Sequence, residues 1–259
     1  RDARVVVYDS GADDTERVAE RAAAQLARLG YSQVYRLDGG TRAWAAAGYV
    51  LFATLRHARD IPWFERAQRR GEWAYRHPRA PADTRVAVLG LGELGACAAH
   101  ELQRQGLTVL GWSRSPREIA GVQCHAGIET LDAVIAQADI LVVMLPLTAQ
   151  TRGLLDRRRL LRLPRGAALV NVARGALVDQ AAMTELLRDG HLGAATLDVF
   201  EREPLPADDP LWRMDNVLIT PHLASVAIPA SAAAQIADNI LRVSGGQAPL
   251  QQVDAGRGY

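Results

Sequence analysis

Apolar and polar positions alternate along the chain in two kinds of block. Short apolar, β-branched runs predict strands at residues 4–8, 33–37, 85–89, 107–112, 122–125, 139–145, 167–172, 194–199 and 217–220. Between them, Ala- and Arg-rich segments repeat every three to four residues, as amphipathic helices do, at 13–29, from Gly95 through Gln105, 131–137, 179–188 and 228–243, with helical turns over 148–163. Gly30 sits where the first helix should stop. The run at 139–145 is continuously apolar, the mark of a strand covered on both faces. Strands separated by helices of this length predict a doubly wound parallel α/β sheet, with ligands at the carboxyl ends of the strands.

The pattern also divides the chain. Residues 1–51 read as a small α/β fragment of their own. Residues 52–82 turn helical and basic, with Arg56, Arg59, Arg66, Arg69, Arg70 and Arg76 set against Asp60, Glu65 and Glu72. They predict one long linker helix over 53–75, kinked near Pro62 and carrying a solvated charged face, followed by a Pro/Ala hinge at 77–82. The main sheet occupies 83–225, and 226–259 holds a terminal helix and a loosely ordered tail.

Composition narrows the class. With 259 residues, 49% of them apolar, the chain can bury a sizeable core. A net charge of +1 gives no bulk electrostatic reason to expect nucleic acid or a bilayer as partner. No apolar run approaches the roughly 18 to 20 residues of a membrane helix, and no signal peptide is visible. Arg1 stands where an initiator Met would be, so a fragment of a longer chain is one reading. Two cysteines, Cys97 and Cys124, suggest small apolar packing residues in a reducing cytoplasm rather than a disulfide framework. All 30 basic residues are arginine, which excludes a pyridoxal Schiff base, a lysine general base and a P-loop lysine together. No Cys/His cluster has metal-ligand spacing.

Candidate chemistry begins at Gly90-Leu91-Gly92-Glu93-Leu94-Gly95, directly after one strand and opening a helix. This is the dinucleotide fingerprint of a Rossmann fold in its required context. Glycines allow the tight turn and close backbone approach to a pyrophosphate, and the helix amino end offers N–H groups to the anion. The acid that would bind a ribose hydroxyl at the end of the next strand is missing; Trp112-Ser113-Arg114-Ser115-Pro116-Arg117 stands there. A hydroxyl and guanidiniums in place of a carboxylate favour NADP(H) over NAD(H). Three further strand ends carry Arg174, Glu203 and His222. An arginine that clamps a carboxylate, with a histidine acid and a glutamate to orient it, is what reduction of a 2-keto acid requires. The alternatives are a structural ion pair for Arg174, a loop acid for Glu203, a capped buried histidine for His222 and a structural carboxylate for Asp198. The remaining histidines, His57, His77, His100, His125 and His191, read as surface or packing residues.

Gly90 to Gly95, Leu145-Pro146-Leu147-Thr148 with Thr151 and Gly153, Asn171 to Gly175, Leu197-Asp198-Val199-Phe200, Glu203-Pro204-Leu205-Pro206 and Pro221-His222 together resemble the D-isomer-specific 2-hydroxyacid dehydrogenases. The 112–115 turn, Pro210-Leu211-Trp212, Val253-Asp254 and Arg257-Gly258-Tyr259 resemble the glyoxylate/hydroxypyruvate reductase A branch. The resemblance runs from about Ala53 to the C-terminus. It implies Arg174 as binder of the substrate carboxylate and carbonyl, Glu203 as partner of the histidine and His222 as proton donor. It further implies Gly90, Gly92, Glu93, Leu94, Gly95, Ser113, Arg114, Pro146, Val172, Arg174 and Asp198 around an NADP(H) cofactor, with Asp198 near the nicotinamide and Arg117 a weaker candidate. A homodimer acting on a small 2-keto acid follows from the same resemblance.

Residues 1–51, with Val5-Val6-Val7-Tyr8-Asp9, Leu29-Gly30-Tyr31, Leu37-Asp38-Gly39-Gly40, Trp44 and Ala47-Gly48-Tyr49, resemble the second half of a rhodanese domain. Asp9 stands where a rhodanese carries its persulfide cysteine, and a carboxylate cannot hold sulfane sulfur. In the dehydrogenase family a substrate domain precedes the linker helix. Two expectations follow: an NADPH-dependent keto-acid reductase, or an NADP-binding module that lacks the substrate domain and does not turn over.

Overall fold

The computed structural model describes residues 5–8, 34–37, 40–225, 240, 242–244 and 247. The chain divides into two units, Arg1–Ala46 with Ser225–Tyr259, and Ala47–Ala224. In the first, β1 (Val5–Tyr8) and β2 (Val34–Leu37) pair in parallel, from Val5 against Val34 to Tyr8 against Leu37. The helix expected over 13–29, Asp9 and most of the tail lie outside the described residues, as does most of the helix expected over 228–243; of that stretch 240, 242 and 243 are described, as helix, and of the tail 244 and 247.

Helix α1 (Gly40–Ala58) contributes its residues from Ala47 onward to the second unit, followed by α2 (Ile61–Arg69). The sheet is built from β3 (Arg85–Leu89), β4 (Thr108–Ser113), β5 (Gln123–Ala126), β6 (Ile140–Val143), β7 (Ala167–Asn171), β8 (Leu192–Leu197) and β9 (Val217–Ile219). All pair in parallel, in the order β5-β4-β3-β6-β7-β8-β9, so the winding reverses between β3 and β6. The connecting helices are α3 (Glu93–Arg104), α4 (Ile128–Ile135), α5 (Arg157–Leu160) and α6 (Gln180–Arg188).

Alternation within each strand feeds two cores. Val86, Val88, Val142 and Val170 point to one face and pack with Ala98, Ala99 and Leu102 of α3 and Val50 and Ala53 of α1. Ala87, Leu89, Leu141 and Leu169 point to the other and pack with α4 and α6. Burial on both faces explains the unbroken apolar runs of the strands.

The linker expectation needs correction. The helix begins at Gly40, not near 53, and it ends at Ala58; Asp60 takes a left-handed φ of 55° and a second helix starts. Pro62 has no N–H to continue the first helix's ladder, yet it is tolerated in the first turn of a new one. The expected kink is therefore a break. Nor is the basic charge all solvated: Arg56 is buried and pairs with Glu65 at 2.5 Å across that break. The helical turns expected over 148–163 reduce to α5, capped by Asp156 accepting from the Arg159 N–H.

His57 fastens α1 to the sheet. Its Nε2 lies 2.9 Å from Oγ1 of fully buried Thr196 in β8. Burial, and secondarily the charge of Arg56, push His57 down to about 3. An unfolded histidine titrates near 6.5, so between those two values the unfolded chain binds a proton that the folded chain excludes. Acid therefore erodes stability across that window, and above it the effect vanishes. Between pH 7.5 and pH 5 this residue should cost about 2 kcal/mol. Urea unfolding of wild type and His57→Gln at both pH values checks this: the gap between the two proteins should change with pH, and a constant gap would refute it.

Candidate active site

The loop Gly90 to Gly95 joins β3 to α3 where the strand order reverses. Gly90 has φ 105°, and a side chain there would come within 2.7 Å of the Met144 carbonyl oxygen. A side chain at Gly95 would overlap the Gly90 carbonyl, so the helix can approach the strand this closely only with glycine. Gly92, the N-cap of α3, has open space around its Cα. The first bond of α3 runs from the Ala96 N–H to the Gly92 carbonyl at 2.8 Å. What precedes it is a helix amino end beside a clear cradle, into which a dinucleotide pyrophosphate fits. Glu93 is exposed and Leu94 half-buried at the rim.

At the end of β4, Ser113 is nearly buried and its hydroxyl donates to the Ser115 carbonyl at 2.7 Å. Its single proton shapes the turn, and Arg114 and Arg117 are the exposed cations that the turn displays. After β6, Thr151 Oγ1 donates to the Pro146 carbonyl at 2.6 Å and accepts from the Thr148 N–H at 2.8 Å, which fixes the Pro146 loop.

Beyond β7, buried Asn171 pins the turn that presents Arg174: its Oδ1 accepts from the Ala173 N–H at 3.1 Å and its Nδ2 donates to the Arg174 carbonyl at 3.2 Å. Val172 is half-buried beside it and Arg174 is exposed. A Cβ at Gly175 would overlap the backbone of Phe200, so this glycine lets the turn after β7 lie directly on the turn after β8. There Glu203 accepts the Phe200 N–H through Oε1 at 2.9 Å and meets Nδ1 of His222 through Oε2 at 2.8 Å. A carboxylate only accepts, so Nδ1 carries the hydrogen and Nε2 is left as the working nitrogen. Burial raises the Glu203 carboxyl, but the hydrogen bonds from His222 and Phe200 and the charges of His222 and Arg174 outweigh it and hold the group below the ordinary carboxylate range. The structure thus brings Arg174, Glu203 and His222 together, although they belong to three separate strand ends.

Asp198 is 1% exposed and ties down the turn around His222. Its carboxyl accepts from the Thr220 hydroxyl at 2.6 Å, the Leu223 N–H at 2.9 Å and the Ala224 N–H at 2.8 Å, while its carbonyl accepts the His222 N–H at 2.9 Å. Asn171, Gly175 and Thr220 were visible as members of motifs, but nothing local marked what each one holds. A cavity of about 270 Å³ lined by Arg66, Arg79, Thr84, Asp139 and Gly166 lies at the opposite, amino ends of the strands. Among the described residues no helix is long and apolar enough to cross a membrane.

Comparison with known proteins agrees with this geometry. Residues 51–224 match the model of the D-isomer specific 2-hydroxyacid dehydrogenase, NAD binding domain, and residues 1–47 match the rhodanese-like domain. Glyoxylate/hydroxypyruvate reductase A of Serratia proteamaculans is 39% identical over 224 residues, covering 86% of this chain and 72% of the relative. The crystal structure of a D-isomer specific 2-hydroxyacid dehydrogenase from Xanthobacter autotrophicus Py2 in complex with NADPH and MES is 59% identical, with a TM-score of 0.82 over 84% of this chain and 90% of that one. An NADPH-dependent glyoxylate/hydroxypyruvate reductase from Sinorhizobium meliloti in complex with NADP and sulfate is 34% identical, with a TM-score of 0.82 over 98% and 80%. The glycine cradle, the joined strand-end turns and these relatives lead to one conclusion: the chain belongs to the D-isomer-specific 2-hydroxyacid dehydrogenases, a family of oxidoreductases that use NAD(P).

Proposed function

We propose that this protein reduces a small 2-keto acid, glyoxylate or hydroxypyruvate, to the 2-hydroxy acid with NADPH. The observation that carries the reading is the 2.8 Å pair of His222 with Glu203, set on the same end of the sheet as Arg174 and the glycine cradle. Bound NADPH supplies the hydride. Arg174 binds the substrate carboxylate through parallel N–H donors and polarises the carbonyl. Nε2 of His222 delivers the proton to the carbonyl oxygen; Glu203 keeps Nδ1–H in place and offsets the imidazolium charge, and the histidine regains its proton from solvent. Gly90, Gly92, Glu93, Leu94 and Gly95 would hold the pyrophosphate, Pro146 and Val172 would flank the nucleotide, and Asp198 would stand on the nicotinamide side. Preference for NADP(H) is supported by Ser113 and Arg114, where an acid would repel the 2′-phosphate, and by the relatives solved with NADPH and NADP. A homodimer belongs to the same reading, supported by fully exposed Trp73 and largely exposed Tyr75 in the segment after α2; sedimentation velocity is the check.

One observation favours a second reading, cofactor binding without turnover: residues 1–47 match a rhodanese-like domain, whereas the family keeps its substrate domain ahead of the linker helix. In the first reading, purified protein consumes NADPH absorbance with glyoxylate or hydroxypyruvate, and His222→Gln loses about 10²–10⁴-fold in kcat while keeping its NADPH affinity. NADPH binding by calorimetry with no turnover selects the second reading. Absence of binding sinks both. Arg114→Asp should raise the KM for NADPH by at least about tenfold and leave that for NADH much less changed; equal effects on the two would remove the 2′-phosphate role.

A further inference from the structure

His222 has an unusual backbone for a residue that must aim a ring. It is 42% exposed and has φ 55°, in the left-handed region. Little packing surrounds it, so its direction comes from the Glu203 bond to Nδ1 and from the main chain, and Asp198 holds that main chain through the N–H groups of residues 222, 223 and 224. What fixes Asp198 in turn comes from far away in the sequence. Tyr49 of α1 places its hydroxyl 2.6 Å from Thr220 Oγ1, across 171 residues. The direction of the chain of bonds follows from proton count. The Thr220 hydroxyl has one hydrogen and donates it to Asp198 Oδ1 at 2.6 Å. It can therefore only accept from Tyr49, whose phenol must be the donor. The bonds run Tyr49 to Thr220 to Asp198, each locking the rotor of the next. Burial raises the Tyr49 phenol, the Thr220 bond lowers it and the nearby Asp198 raises it again, with a net rise, so the donor stays protonated at neutral pH.

We propose that Tyr49 is a positioning residue for His222, acting through Thr220 and Asp198 on the turn that carries the histidine. The proposal rests on His222 as proton donor, and its tests separate the two. With NADPH and hydroxypyruvate, Tyr49→Phe and Thr220→Val should each lower kcat about three- to tenfold, the cost of one hydrogen bond, with NADPH affinity within about twofold. Thr220→Ser, which keeps the hydroxyl, should retain activity. Because both residues work through one chain of bonds, the double variant should be no slower than the slower single variant. Losses that multiply in the double variant, or a lowered melting temperature with kcat unchanged, would reduce Tyr49 to a packing residue and overturn the proposal. A readout without turnover is the Nδ1–H resonance of His222 in ¹⁵N-histidine-labelled protein, assigned by its absence in His222→Gln. It should broaden or shift in Tyr49→Phe and persist in Thr220→Ser. If the resonance responds but the wild type reduces no keto acid, the positioning stands and the reductase reading falls. If the wild type is active and the resonance is unmoved by Tyr49→Phe, the positioning falls alone.

Discussion

A parallel sheet covered on both faces has no solvent side on which to place chemistry. Every residue of β6 and β7, and all of β3 after Arg85, is buried. Polar function is therefore pushed to the loops beyond the strand ends, and because all seven strands run the same way, those loops gather at one edge. That constraint collects Gly90–Gly95, Ser113–Arg114, Pro146, Asn171–Gly175, Asp198–Glu203 and His222 in one region. It also sets where the cofactor cradle lies, since only between β3 and β6 do the outgoing chains diverge.

Loops that meet this densely must satisfy their own polar groups. Asn171, Thr151, Asp198 and Glu203 each bond the backbone of the turn they belong to or a neighbouring one. The balance at His222 shows why this matters. Left-handed backbone costs a non-glycine residue about 1–2 kcal/mol. Three N–H bonds to Asp198, each worth about 1 kcal/mol net, offset that cost and leave the ring aimed. The left-handed turn is thus sustained by the carboxyl and the backbone carbonyl of buried Asp198.

Legibility in the sequence followed the range of each interaction. The glycine loop, the parallel sheet implied by strand and helix alternation, and the Arg174, Glu203 and His222 motifs were readable because each is written within short stretches of consecutive residues. Helix boundaries were less so. The start of α1 at Gly40 was hidden by a fragment that seemed to end near residue 51, and the break at Asp60 depends on a left-handed residue that no periodicity announces. Gly175 was visible in a motif, but its reason, contact with the Phe200 backbone, is tertiary. Tyr49 is legible only as a member of the rhodanese-like stretch, because its partner Thr220 lies 171 residues away. Ser113 was legible as a residue of the turn after β4, yet its hydroxyl donates to the Ser115 carbonyl, a bond within the turn that the motif does not announce.

The glycine cradle and the Arg174, Glu203 and His222 group are built from different parts of the sheet. The cradle needs β3, α3 and the end of β4. The Arg174, Glu203 and His222 group needs the turns after β7, β8 and β9, locked to each other by Gly175 against Phe200 and by Asp198 across the His222 turn. The sheet register between β3, β6 and β7 is what connects them. Because the turns after β7, β8 and β9 are bonded to one another, a disturbance at any of them reaches His222, whereas a disturbance in the cradle reaches it only through the sheet. Retention of nucleotide binding therefore says little about whether the histidine is aimed. The Asp198 turn and the glycine cradle can therefore be disturbed separately.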